Sequence, residues 1–403
     1  MRLLFVSEST LSIGRGPLFR RRGILPHLAK RADLTFVSLG QSDSEFLSLA
    51  KRLNISLHRV DCVYDGWFVS NAAEIAQFVS QLARRERCDL VIMEWELWDL
   101  VRALAKQLGN DDIPFATVLH AVPLLNCPPN PSRSFGIDVM FRLLSERNSN
   151  VRRYIWQRAW TIAGVLKRVE VVVPNETVRF YLSRYFPAAR QHLSLPGYAV
   201  DLDEIAHVKA NPERTEFVFL AKLVAEKGTL ELLRILKLIV VLRPNWRLKL
   251  IGAFEDGDAE DEFWSVAGRL GLADRIVATG WLSEEAKYSA LKGAKVFLYP
   301  ASMSDSFCIP IVEAIACGCS VICYDVPFSR LIYRDAPVHR VPLNDRRAFA
   351  AAALTALTSS PDMAKASSFL QKYASWEVAA EAEMTALEHV VAIHKSAPKR
   401  LAD

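Results

Sequence analysis

Two stretches of the 403-residue sequence combine charged and backbone groups in a way that suits an anionic, hydroxyl-bearing ligand. The first runs Asp305-Ser-Phe-Cys-Ile-Pro-Ile-Val-Glu313 and continues through apolar residues to Gly318. Pro310 suits the first helical position, where a missing N–H costs nothing, and Gly318 suits a left-handed stop. A helix beginning there sets the amides around Phe307, Cys308 and Ile309 at its start, a ready site for phosphate. Glu313 stands about one turn further on among apolar neighbours and needs hydrogen-bond donors. Ligand hydroxyls would serve, and so would backbone groups or an arginine. The second stretch is Phe219-Leu-Ala-Lys222-Leu-Val-Ala-Glu-Lys227-Gly228, a strand that ends in a loop with two cations before a helix. In an open parallel sheet ligands bind beyond the carboxyl ends of the strands, so Lys222 and Lys227 stand where a diphosphate could be clamped. The alternative is two solvated lysines.

The elements that must position these residues follow from the apolar pattern. Short β-branched and aliphatic runs at 2–7, 34–39, 90–93, 115–119 and 169–173 alternate with helical stretches. The alternation resumes with runs at 217–220, 248–251, 276–279, 296–299 and 320–323. It predicts an α/β protein of two doubly wound, Rossmann-like domains, each built on a buried parallel sheet. Pro196 and Gly197 stop regular structure between the two sets, which places the hinge at 195–204 and the domains at 1–197 and 198–375. A helix is expected over 227–241, with Leu230, Leu233, Leu236 and Ile239 packing on the second sheet. Ser283 followed by Glu284 and Glu285 reads as a helix N-cap with acids in the first turn. Residues 376–393 form a helix of good propensity that could pack back across either domain.

Composition limits the partners. The formal charge is +5, too even a balance for a dedicated nucleic-acid binder. Up to Gly197 there are 26 basic and 18 acidic residues, and beyond it 24 and 27, so an anionic partner should favour the first half. Seven cysteines without zinc-type spacing read as reduced, buried thiols. The opening MRLLFVSEST is interrupted too soon by Glu8 for a signal peptide, and no apolar run approaches the ~18 residues of a membrane span. A cytoplasmic protein, or one peripheral on the inner membrane face, is expected.

In this order the two stretches resemble the C-terminal domain of retaining glycosyltransferases of family 4, which have the GT-B fold. Asp305 to Glu313 matches the position and step of the family's E-x7-E motif, and Ala221-Lys222-Leu223 with Lys227-Gly228 looks like its G-R-L-x-x-x-K-G loop. Pro196-Gly-Tyr-Ala-Val-Asp201 looks like a degenerate P-N-G-V-D segment, and Ser375-Trp376-Glu377 is similar to the opening of the family's terminal helix. The first half matches only in pattern, at Gly14, Gly16 and His120. The resemblance implies two domains facing across a cleft, the first for the acceptor and the second for a nucleotide diphosphate sugar of UDP or GDP type. It implies metal-free transfer with retention and no cofactor. Lys222 and Lys227 would neutralise the leaving diphosphate, with amides near Cys308 and Ile309 sharing the charge. Glu313 would accept from ribose hydroxyls, Asp305 would hold donor-sugar hydroxyls, and His120 would donate to the sugar. The acceptor would be a glycan, a lipid-linked glycan or a small molecule.

This chain departs from the pattern in three places. Asp305 stands for Glu and is about one methylene shorter, Lys222 stands for an Arg and lacks its fork, and Cys308 stands for a Gly. They motivate a second reading, a catalytically silent GT-B subunit that binds nucleotide. A third reading is a nucleotide-sugar epimerase.

Outside the motif, His120 at a strand end reads equally as a core or loop histidine. Gly14-Arg15-Gly16 lacks a full dinucleotide fingerprint, and its small residues would instead admit the donor sugar. Glu94 and Glu96 follow a strand and read as solvated acids, with acceptor binding as the competing role. Over 133–168, arginines alternate with Phe141, Tyr154, Trp156 and Trp160, a pattern that suits an anionic membrane surface. Arg20-Arg21-Arg22 would add to that surface. An ordinary helix pair with one solvated face is the alternative.

Overall fold

The computed structural model describes all residues except 8–15, 66–67, 95–96, 122–133, 147, 302–305 and 397–403, and all side chains of the described helices and strands except 16–18, 65, 145 and 150. The chain forms two compact units. One holds the described residues of Met1–Leu124, Pro129–Tyr198 and Trp376–Asp403, and the other those of Ala199–Ser375.

The first unit contains β1 Arg2–Ser7, β2 Asp33–Leu39, β3 Ser56–Val60, the ribbon β4 Tyr64–Asp65 and β5 Phe68–Val69, β6 Leu90–Met93, β7 Phe115–Val118, β8 Glu170–Val173 and β9 Arg190–Leu193. Seven of them form one sheet in the order β3-β2-β1-β6-β7-β8-β9, and every pair is parallel. The central strands β6, β7 and β8 are buried at every position, as apolar runs covered by helices on both faces must be. The second unit contains β10 Thr215–Leu220, β11 Leu248–Ile251, β12 Ile276–Gly280, β13 Ala294–Tyr299, β14 Ser320–Tyr324 and β15 Val338–Val341. These form a second all-parallel sheet in the order β12-β11-β10-β13-β14-β15.

Of the five strands absent from the sequence reading, β4 and β5 form the short ribbon, and β3, β9 and β15 all lie at sheet edges and are only partly buried. An edge strand that is only partly covered needs no continuous apolar run, so its signal is weak. The terminal helix Trp376–Ser396 joins the first unit, where Ala379, Ala380, Met384 and Leu387 share a core with Leu3, Phe5, Ile24 and Leu28. Gly23 permits this packing, because a Cβ there would lie 2.2 Å from the Trp376 ring.

Candidate functional site

In each sheet the chain runs outward from its first strand to one side and then returns to the other. The resulting switch points fall between β1 and β6 and between β10 and β13. The crevice beyond the carboxyl ends of such a strand pair is where an open α/β sheet accepts a ligand.

At the second switch point, β10 leads through residues 221–224 into a short turn, Ala225–Lys227, and then Gly228 and the helix Thr229–Leu242. The helix thus starts two residues later than its apolar stripe suggested, and Lys227 closes the turn before it. Gly228 has φ +84°, and a Cβ on it would lie 2.5 Å from the Pro300 carbonyl oxygen. Only glycine fits this left-handed position against the end of β13. The lysine loop is thereby seated on the segment that follows β13. Lys227 is half-buried. Lys222 is exposed, and its ammonium donates to Glu255.

After β13 the helix Ile309–Ala316 begins with Cys308 at its N-cap, Pro310 in its first turn and no acid there to occupy the positive end of the dipole. Cys308 and Ile309 are buried and Phe307 half-buried. Tyr333 donates to the Cys308 carbonyl at 2.6 Å, and Phe307 rests edge-on against Tyr373. These contacts fix the direction in which the helix enters. Gly318 ends it at φ +81°. Asp305 lies outside the described residues.

Glu313 is 2% exposed. Its donors are neither backbone nor arginine. Lys287 Nζ donates to Oε1 at 2.6 Å, the Tyr288 hydroxyl lies 3.4 Å from the same oxygen and shares its one proton with Glu284 Oε2 at 2.9 Å, and no hydrogen bond to Oε2 of Glu313 is found among the described residues. Lys287 also donates to Glu284 Oε2 at 2.8 Å, from the helix Glu284–Lys292 that Ser283 caps through the Ala286 amide. Burial pushes the Glu313 carboxyl above the usual carboxylate range, against the pull of the Lys287 ammonium. Burial would lower Lys287, but the carboxylates of Glu313 and Glu284 outweigh it and hold the ammonium above its ordinary value. The arrangement presents one carboxylate oxygen held by cation and phenol and leaves the other able to accept from a ligand hydroxyl.

At the first switch point Ser7 ends β1, Glu94 follows β6 and His120 follows β7. Gly14 lies outside the described residues and Gly16 opens the helix Gly16–Leu28. Glu94 is not a solvated acid: it is buried and accepts from Arg21 Nε at 2.9 Å. Glu96 lies outside the described residues. Arg20 and Arg21 are buried too, which removes them from any membrane surface. Arg20 donates to Glu383 on the terminal helix and to the Gly197 carbonyl at 2.6 Å, and Arg21 donates to the Ser7 hydroxyl. His120 is buried with Nδ1 3.2 Å from the Tyr198 hydroxyl.

Burial, with the cations of Arg20 and Arg21 nearby, holds the His120 imidazole well below its ordinary range. The unfolded chain takes up a proton near pH 6.5 that the folded state refuses, so this group withdraws stability as pH falls below that value. Between pH 7 and 5, His120→Gln should therefore lose less stability than the wild type, the difference approaching ~1.4 kcal/mol per pH unit. Urea unfolding across that range checks it, and parallel curves for the two proteins would contradict it.

Burial pushes the Cys319 and Cys323 thiols up to about 12, so they are inert.

Two doubly wound parallel units of this kind define the GT-B fold of glycosyltransferases. A glycosyltransferase from Rickettsia africae superposes with a TM-score of 0.70 at 13% identity, over 97% of this chain and 99% of that one. HepE of Anabaena, solved in complex with UDP, gives 0.64 at 16% identity over 98% of each chain. Residues 202–372 match the model of the family of glycosyl transferases group 1, so the second unit carries a domain of that group. A phosphatidyl-myo-inositol mannosyltransferase of Mycobacterium tuberculosis is 35% identical over 119 residues, 29% of this chain. The match spans 30% of that relative's length.

Proposed function

We propose that the protein is a glycosyltransferase that takes a sugar from a nucleotide diphosphate donor of UDP or GDP type, without a metal and with retention at the anomeric carbon. The observation that carries this reading is the meeting of the Lys222–Lys227 loop with the β13 exit, where Gly228 lies against Pro300. Cations from one loop and the helix start that follows the other can then serve the same diphosphate. Lys222 must leave Glu255 to do so. Both partners are about half exposed, and such pairs are worth only ~0–1 kcal/mol.

The Glu313 Oε2 atom accepts from the ribose, and Asp305 holds donor-sugar hydroxyls. His120, kept neutral, is the hydrogen-bonding group that we assign to the first unit, which takes the acceptor. As the glycosidic C–O bond breaks, the leaving phosphate oxygen takes the proton of the acceptor hydroxyl attacking from the same face. The mannosyltransferase relative acts on a phosphatidylinositol. A lipid-linked acceptor at the cytoplasmic face of a membrane is the corresponding assignment here.

Purified protein supplied with UDP- and GDP-sugars and a lipid extract should release nucleoside diphosphate only when extract is present. Release of a rearranged donor sugar without acceptor would select an epimerase. Nucleotide binding without turnover on any acceptor would select a silent subunit.

A further inference from the structure

The helices Phe135–Ser145 and Ser149–Leu166 of the first unit pack on each other through a small core of Val139, Ile155 and Ala159, joined by Phe135, Leu143 and Val151. That packing uses one face of each helix and leaves a second apolar set in solvent. On the Phe135 helix the set is Ile137, Met140, Phe141 and Leu144, spaced three and four apart so that all four share one side. Leu144 is 70% exposed. On the Ser149 helix it is Trp156 and Trp160, one turn apart with ring centroids 5.7 Å from each other, and Trp160 is 64% exposed.

Isolated exposed apolar side chains need no explanation, but a helical stripe of four beside a tryptophan pair does. The surrounding charge says what covers it. Arg153 lies one turn before Trp156 on the tryptophan side of the helix, with Arg152 beside it, Lys167 follows directly after the helix end at Leu166, and all three are exposed. Among the described residues Arg152 and Arg153 make no ion pair. From Phe135 to Arg168 the only acids are Asp138 and Glu146, and both are engaged within the fold: Asp138 accepts from the Tyr185 hydroxyl, and Glu146 from the Asn148 amide at 2.9 Å. The segment 135–168 therefore brings seven basic residues against two acids beside its apolar bulk.

We propose that this face docks on an anionic lipid bilayer, the tryptophans and the Phe135-helix stripe entering the headgroup boundary while Arg152, Arg153 and Lys167 meet lipid phosphates. A helix with aromatics on one side and Arg or Lys flanking them has the composition of an interfacial element. No helix among the described residues is long and apolar enough to cross a membrane, so docking is by a face and not by a span. The proposal stands on these residues alone and is independent of the donor assignment, since none of them belongs to the second unit.

The test is co-sedimentation of the full chain with vesicles of phosphatidylcholine alone and of phosphatidylcholine with phosphatidylglycerol. Wild type should pellet with the anionic vesicles, more weakly as salt is raised, and should stay in solution with the neutral ones. Trp156→Ser with Trp160→Ser should lower the partition by about tenfold, and Arg152→Glu with Arg153→Glu by a similar factor. Thermal midpoints should move little, because all four side chains are largely exposed. Failure of wild type to bind anionic vesicles, or equal binding by the tryptophan variant, would overturn the proposal. So would a concentration-dependent dimer that the tryptophan variant abolishes, which would assign the face to a protein partner. Nucleotide binding should be the same in every variant, so a failure here is distinct from a failure of the donor site.

Discussion

Replacing Lys287 by Met should destabilise the second unit by about 3–5 kcal/mol, the usual cost of leaving a buried carboxylate without its cation. Lys287 is the partner of Glu313 at 2.6 Å, and the fully buried carboxyl has otherwise only the Tyr288 hydroxyl. Once the opposing ammonium is gone, burial and the nearby Glu284 carboxylate act on Glu313 and its carboxyl protonates more readily. Nucleotide affinity in the variant should then improve as pH rises and the carboxylate forms, while wild-type affinity stays flatter. Adding Glu313→Leu to Lys287→Met removes the stranded charge and should recover most of the stability, because apolar replacement of a whole buried pair is often neutral. It should not recover nucleotide binding. Urea midpoints and calorimetric titration on the single and double variants separate the two effects. A double variant that binds nucleotide as well as wild type would show that Glu313 is only a core residue.

Arg20→Met should have a comparable effect on the first unit. Arg20 reaches Glu383 on the terminal helix, the Gly197 carbonyl and the rim of Glu94, all buried. Its loss strands Glu383, which is 0% exposed, and removes the guanidinium that ties the terminal helix to the segment ending the unit at Tyr198. A loss of about 3–5 kcal/mol is expected, with hydrogen exchange rising first along Trp376–Ser396. Arg20→Lys keeps the charge but not the fork and should fall between. Arg31 with Glu381 joins the same two helices at the surface, 40% and 60% exposed, and Arg31→Ala should cost less than about 1 kcal/mol. Similar losses for Arg20→Met and Arg31→Ala would contradict this view of what holds the helix.

The contrast between Arg20 and Arg22 also marks how far a sequence can be read. Three arginines in a row resemble a solvated basic patch, yet the ~100° step of a helix turns two of them inward and leaves Arg22 outside with Glu45. Nothing local reveals that Glu94 and Glu383, 74 and 363 positions from Arg20, wait as partners. Lys287 was hidden in the same way. Its sequence context, directly after a good N-cap and two acids, reads as an ordinary helix, and only the fold brings it to Glu313, 26 residues away. The one available signal was its place three and four positions before Ala290 and Leu291, residues that the helical period turns inward with it. The central strands were legible because burial on both faces demands an unbroken apolar run, whereas β3, β9 and β15 carry no such demand. Pro310 and Gly318 were legible as well, since each has a backbone reason that holds whatever surrounds it.

Calorimetric titration of UDP, GDP and ADP into wild type and Lys227→Ala tests the central claim most directly, because it asks only whether the loop after β10 holds a nucleoside diphosphate. We expect one nucleotide to bind in preference to the others and Lys227→Ala to weaken it by about 10- to 100-fold, the worth of one charge-assisted contact. Absence of binding by all three, or equal binding by the variant, would contradict the assignment of this site.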